Sequence, residues 1–179
     1  MKVGLVRHFQ VKRGFPENVL LTPSQFDQWV DEYELSDIED GEIDMCGIEW
    51  EMCFASDSFR AVKTAEKIYD ANIIQMKDLR EVRPYPLLKS NIRLPFIVWI
   101  VLVRLAWLVS HKSQLETFSD FKCRVNAVLD NILSEKNNNI LIVSHGAIMI
   151  YMRKELFKRG FKGPKFKTPA NGKLYVYER

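Results

Sequence analysis

Two of the three histidines in this 179-residue chain stand at the ends of short apolar runs: His8 in Val6-Arg7-His8, and His145 in Val143-Ser144-His145-Gly146. Between them, Ser56-Asp57-Ser58-Phe59-Arg60-Ala61-Val62-Lys63-Thr64-Ala65 sets Arg60 at a strand-to-helix junction. Ligands of open α/β sheets bind outside the carboxyl ends of the strands. Three such ends, carrying two imidazoles and two guanidinium groups, predict one pocket assembled from distant parts of the chain.

That residue set has a definite chemistry. Guanidinium forks match the oxygens of phosphate or carboxylate bidentately. Their charge disfavours imidazolium, which keeps a neighbouring histidine neutral and nucleophilic. A neutral imidazole backed by Arg7 and Arg60 suits attack on a phosphomonoester, with the arginines screening the dianion and stabilising the transferring phosphoryl group. Covalent attack by histidine would divide hydrolysis into two easier steps. The leaving alkoxide needs a proton, and Glu81, in Leu79-Arg80-Glu81-Val82, is our candidate among 23 acidic residues. Each residue also has a structural reading: Arg7 and Arg60 as surface ion-pair residues, His145 as a helix cap. His8, His145 and Glu81 resemble a two-histidine, one-carboxylate metal set. Flanking arginines would repel a divalent cation, so no metal and no cofactor is expected.

The elements that must position these residues follow from periodicity. Lys2 to Val6, Glu51 to Ala55, Asn72 to Gln75 and Ile140 to Val143 read as short strands, and Lys173 to Tyr177 as an edge strand after the turn signal Asn171-Gly172. Thr22-Pro23-Ser24-Gln25 is a helix start with a capping box, followed by Phe26, Trp29, Val30 and Tyr33 at helical spacing. The acidic stretch Asp31 to Asp44 reads as a surface connection. Ser56 or Asp57 would cap the helix carrying Ala61, Thr64, Ala65 and Ile68; further helices are expected over Gln114 to Leu133 and Ala147 to Arg159. Strands alternating with helices predict a layered α/β domain with a mostly parallel sheet.

Composition narrows the class. Apolar residues make up 47% and charged residues 27%, as in soluble globular domains. We read residues 1–179 as one domain. A net charge of +3 argues against nucleic acid as partner, and the densest basic set, Lys158, Arg159, Lys162, Lys165 and Lys167, reads as a solvated surface. Cys46, Cys53 and Cys123 lack zinc-type spacing; they predict reduced thiols of a cytoplasmic protein, with Cys53 and Cys123 in the core. Leu94 to Val109 is apolar except for Arg104. It falls short of the roughly 20 residues needed to span a bilayer, so membrane contact is not expected. A buried or lid-forming helix near 94–112, apolar on nearly every face and therefore covered, is the reading, with a homo-oligomer interface as its alternative.

Taken in order, Val6-Arg7-His8, Ser56 through Ala65, Leu79-Arg80-Glu81 and Val143-Ser144-His145-Gly146 resemble the signature of the histidine phosphatase superfamily, also called phosphoglycerate mutase-like. The resemblance spans most of the chain. It implies a three-layer α/β/α sandwich around a mostly parallel mixed sheet, no metal, and a small phosphorylated substrate. It makes His8 the phosphorylated nucleophile and Glu81 the proton donor, while Arg7, Arg60 and His145 bind the phosphoryl group. Two departures stand out. Phe9 occupies the position where the family motif continues Arg-His-Gly, and the family's phosphate-contacting Asn falls on Gly14, with Asn18, Lys12 or Arg13 as substitutes. Trp99 and Trp107 suit an apolar substrate moiety or the core, and Arg104 is a further candidate for the pocket. The implied activity is metal-independent phosphomonoester hydrolysis. The alternatives are a phosphate- or phosphoprotein-binding module and a mutase-like phosphotransferase.

Overall fold

The apolar runs pair as the centre of a five-stranded sheet because strands covered on both faces need continuous apolar sequence. The computed structural model describes residues 1–17, 19–87, 91–135 and 138–179. In chain order the strands are β1 (Lys2–Arg7), β2 (Leu20–Leu21), β3 (Met52–Ser56), β4 (Ile73–Met76), β5 (Leu94–Pro95), β6 (Ile140–Ser144) and β7 (Leu174–Glu178). The helices are α1 (Pro23–Leu35), α2 (Phe59–Ile68), α3 (Phe96–Leu108), α4 (Phe118–Leu133) and α5 (Gly146–Lys158). The main sheet has the order β4-β3-β6-β1-β7, while β2 and β5 form a separate small pair. Strands β4, β3, β6 and β1 run parallel, and β7 closes the edge antiparallel to β1.

Side-chain alternation builds two cores from one sheet. Val3 and Leu5 of β1, Ile140 and Ile142 of β6, and Tyr175 and Tyr177 of β7 face the α4 and α5 side with Val125, Leu129, Met149 and Met152. Val6, Cys53, Ala55, Leu141 and Val143 face the other side, where Ala61 and Ala65 bring α2 close. This is the three-layer α/β/α arrangement. A third cluster joins Phe26, Trp29 and Val30 of α1 to Phe96, Trp99 and Val103 of α3, and the buried Trp99 Nε1 donates to Leu21 O at 2.8 Å.

Thr22 and Gln25 form the expected capping box at α1. Asp31 to Leu35 belong to α1 rather than to the acidic connection. The start of α4 is Phe118, not Gln114, because Thr117 and Asp120 close a capping box there. The Gln114 amide is instead held by the backbone of Tyr85 (Tyr85 N–H to Oε1 3.3 Å; Nε2 to Tyr85 O 2.7 Å). The cap residue of α2 is Ser58; Ser56 faces His145, and Asp57 pairs with Arg80. Cys53 is buried as expected, whereas Cys123 is exposed on α4, where the buried stripe runs through Phe121 and Val125.

The apolar helix α3 is covered on one side only. It buries Phe96, Trp99, Val103 and Ala106, while Ile97, Val101, Leu105 and Leu108 lie 50–65% exposed. Within this chain the cover is one-sided: among the described residues, the α3 members of the third core cluster meet β2 and α1, and the opposite face stays exposed. No helix among the described residues is long and apolar enough to cross a membrane.

Candidate active site

Strand register brings the predicted residues level. Arg7 at the end of β1 pairs with Ser144 at the end of β6, and the next residue, His8, donates its backbone N–H to Ser144 O at 3.1 Å. His145 follows directly as the cap residue of α5. The neighbouring strand β3 ends at Ser56, and the turn into α2 delivers Arg60 in its first turn. A 3-10 turn after β4 (Lys77–Leu79) precedes Glu81, and Ser144 Oγ donates to Leu79 O at 2.9 Å, tying this turn to β6. Arg7, His8, Arg60, Glu81 and His145 thus line one cleft of about 200 Å³.

His8 is buried, and its orientation is fixed by the backbone. Nδ1 lies 2.6 Å from Phe9 O. A carbonyl only accepts, so Nδ1 carries the proton and Nε2 keeps the lone pair. The carbonyls of His8 and Phe9 both accept from Asn171 Nδ2, at 2.8 and 3.4 Å. Phe9 N–H donates to Thr64 Oγ1 at 2.9 Å, and that hydroxyl donates to Arg60 O at 2.7 Å. The loop holding the imidazole is therefore pinned to α2 on one side and to the turn before β7 on the other. Phe9 itself is buried, its ring set between Gly41 and Gly172. A Cβ at either position would approach that ring to within 2.9 and 2.8 Å, and Gly172 also has a positive φ of 59°.

The second imidazole sits beside the first, ring centroids 5.1 Å apart. His145 Nε2 meets Ser56 Oγ at 3.0 Å and Ser58 Oγ at 3.2 Å, leaving Nδ1 buried without a partner. Arg7 Nε and Arg60 Nε are likewise buried and unpartnered. Trp107 Nε1, also on the cleft, is unpartnered too; such groups are costly in a folded protein, and four around one cleft suit a ligand with acceptor oxygens. Arg7 is braced by Pro169 O, 3.0 Å from Nη1, and the Arg60 guanidinium lies 5.4 Å from the Tyr33 ring centroid. Burial, then Arg60, then Arg7 lower the His8 pKa to about 3. Burial first and Arg60 second hold His145 well below its usual value. Both rings are neutral at pH 7.

Glu81 Oε2 accepts from Ala147 N–H at 2.8 Å, at the start of α5, and Oε1 from Val82 N–H at 3.2 Å. A Cβ on Gly146 would stand 3.8 Å from both Glu81 Oε2 and the Arg7 guanidinium, so the carboxyl and the arginine flank this glycine. Arg104 and Trp107 line the cleft, whereas Trp99 belongs to the core. Lys12 and Arg13 do not replace the missing asparagine; they pair with Asp37 and Glu32 on the exterior. Asn18 lies outside the described residues. The trio of His8, His145 and Glu81 makes no metal-holding cluster, nor does any other such group among the described residues.

Several contributors were not assigned to the site from sequence. Ser58 and Ser56 hold His145, Thr64 holds the first loop, and Asn171 holds the carbonyl that orients His8. Ser56, Ser58 and Thr64 were visible in the motif around Arg60, and Asn171 as a turn residue. Phe15, Trp29 and Tyr33 also line the cleft; Trp29 and Tyr33 were signalled only by aromatic spacing along α1, and Phe15, in the first loop, by nothing.

Residues 44–179 match the family model described as the histidine phosphatase superfamily (branch 1). Arg60, Glu81 and His145 fall inside that stretch; Arg7 and His8 precede it. No curated protein sequence matches the chain significantly. Among solved structures, the fold is similar to the alpha-ribazole phosphatase from Shigella flexneri (TM-score 0.59, 17% identity, covering 98% of this chain and 89% of that one). It is similar to a phosphoglycerate mutase from Bacillus anthracis str. Sterne (TM-score 0.54, 17% identity, 89% and 81% covered). A phosphoserine phosphatase mutant from Entamoeba histolytica, in complex with phosphoserine, is comparable (TM-score 0.54, 16% identity, 98% and 89% covered). At these identities the likeness concerns the fold.

Proposed function

The chain belongs to the histidine phosphatase superfamily, and from that premise we propose that it hydrolyses phosphomonoesters through a phosphohistidine intermediate on His8, without a metal. The observation that carries this reading is the Nδ1–H of His8 held on Phe9 O at 2.6 Å. It leaves the Nε2 lone pair for attack in a cleft that also contains Arg7, Arg60 and His145.

In the first step His8 Nε2 forms a bond to phosphorus as the ester P–O bond breaks. Arg7 and Arg60 take charge on the phosphoryl oxygens, and the unpartnered Nδ1 of His145 adds a contact. Glu81 gives its proton to the departing alkoxide. In the second step water attacks phosphorus, Glu81 takes the water's proton, and the P–N bond breaks to release inorganic phosphate. Burial of both rings supports the scheme, since a nucleophilic imidazole must be neutral at working pH.

The test is hydrolysis of a generic aryl phosphate in EDTA by wild type and His8→Ala, both checked for folding, with alkaline quenching to trap phosphohistidine. Turnover and a phosphoenzyme in wild type, both lost in the folded variant, are the expected outcome. Equal turnover by the variant overturns the mechanism. Absence of turnover in wild type, with phosphate still bound, gives the binding-module reading instead.

A further inference from the structure

The cleft has two unlike ends. Its basic end holds the arginines and histidines already described. The rest of its lining is mostly apolar: Phe15, with Trp29 and Tyr33 of α1 and Ile100, Val103 and Trp107 of α3, interrupted by Glu34 and Arg104. These rings are braced rather than loose. Trp29 lies 5.1 Å from Tyr33 and 5.6 Å from Phe15, ring centroid to centroid, with Trp29 Nε1 on Gly14 O at 3.3 Å. Across the cleft, Trp107 packs edge-on against Phe118 and Phe121, each centroid 5.0 Å away. Phe15 is 63% exposed, and it comes from the first loop, whose basic residues Lys12 and Arg13 point to outer ion pairs. That loop therefore supplies apolar surface to the cleft instead of charge.

We infer that the substrates are phosphomonoesters whose alcohol part is a compact apolar group of about one ring, seated on the lining supplied by Phe15, Tyr33, Ile100 and Trp107. The size follows from the cavity: an apolar void of about 150 Å³ admits benzene, and the whole cleft here is about 200 Å³. Polar side chains line the cleft too, Glu34 and Arg104 among them, but a polyhydroxylated alcohol seated against Phe15, Ile100 and Trp107 would lose hydration there. The inference rests on the phosphate-binding reading of the basic end, but not on turnover.

The experiment measures binding of benzylphosphonate and methylphosphonate to the full chain by calorimetry, with Phe15→Ala and Trp107→Leu alongside. Both ligands resist hydrolysis, so an inactive protein is tested equally well. Burial of a ring at the transfer value for apolar surface corresponds to benzylphosphonate binding about 30-fold more tightly. Phe15→Ala, at an exposed position that leaves the core intact, should narrow the ratio about threefold, and Trp107→Leu about tenfold. A parallel preference in kcat/KM is expected for benzyl phosphate over glycerol 3-phosphate, both leaving as alkoxides. Binding of the two phosphonates within twofold of each other overturns the apolar subsite while leaving the phosphate end standing. If neither binds, the phosphate reading itself fails and the inference falls with it. An unchanged ratio in both variants overturns the assignment to these walls.

Discussion

Burial of neutral His8 makes the protein's stability depend on pH in a way that one substitution isolates. The ring has a pKa of about 3 when folded, against 6.5 when unfolded. Between those values the unfolded chain binds the extra proton, so stability is complete above about pH 6.5 and falls as the pH drops toward 3. For one such group, moving from pH 7.5 to pH 5.0 costs about 2 kcal/mol, the difference in RT ln[(1 + 10^(6.5−pH))/(1 + 10^(3−pH))] between the two pH values. The charges facing the ring, Arg60 from α2 and Arg7 from β1, act in the same direction, and the hydrogen bond to Phe9 O opposes them; His145 at the head of α5 is itself held neutral. His145 adds its own loss, so about 2 kcal/mol is the part that His8→Asn should remove. The assay is urea unfolding at both pH values in phosphate-free buffer, since a bound anion would oppose the effect. Wild type should lose at least about 2 kcal/mol more than His8→Asn over this interval, with m-values unchanged. Equal losses would mean that His8 titrates alike in both states, and the picture of a buried, neutral nucleophile would be wrong.

Other substitutions probe the supports around it. Arg60→Lys keeps the charge but loses the planar fork, and should lower kcat/KM for an aryl phosphate about 100-fold with the fold intact by circular dichroism. Asn171→Ala frees the carbonyls of His8 and Phe9; kcat should fall about tenfold while KM moves less, because the orientation of the nucleophile is lost rather than the phosphate contacts. Thr64→Val keeps the side-chain shape but leaves Phe9 N–H buried without an acceptor, which should cost about 1–3 kcal/mol in urea unfolding.

Much of the fold was legible because its strands are buried on both faces. Lys2–Arg7, Met52–Ser56 and Ile140–Ser144 could be read from apolar runs within a residue or two, and the α1 capping box from four residues. Arg7, His8, Arg60 and His145 were legible for a related reason: each follows or ends a strand, and parallel register aligns those ends; Glu81, one of 23 acidic residues, rested mainly on the family resemblance. Features set by contacts distant in sequence were not legible. Asn171 reaches His8 only through the antiparallel return of β7, and Gln114 is claimed by Tyr85, whereas the Thr117–Asp120 box that opens α4 is local. The outward phase of Cys123 and the one-sided cover of α3 likewise depend on which neighbour each helix meets.

The ring of Phe9 has a consequence for how this sequence can be altered or recombined. It occupies space that positions 41 and 172 leave empty, so three sites scattered along the chain share a single volume. The loop after His8 is therefore not an exchangeable cassette. A graft that restores glycine at position 9 leaves a void that a side chain at position 41 fills, whereas the positive φ of Gly172 disfavours a side chain there even once the ring has gone. Drift must be concerted, so a comparison of close homologues should find position 9 changing size in step with position 41 while position 172 stays glycine.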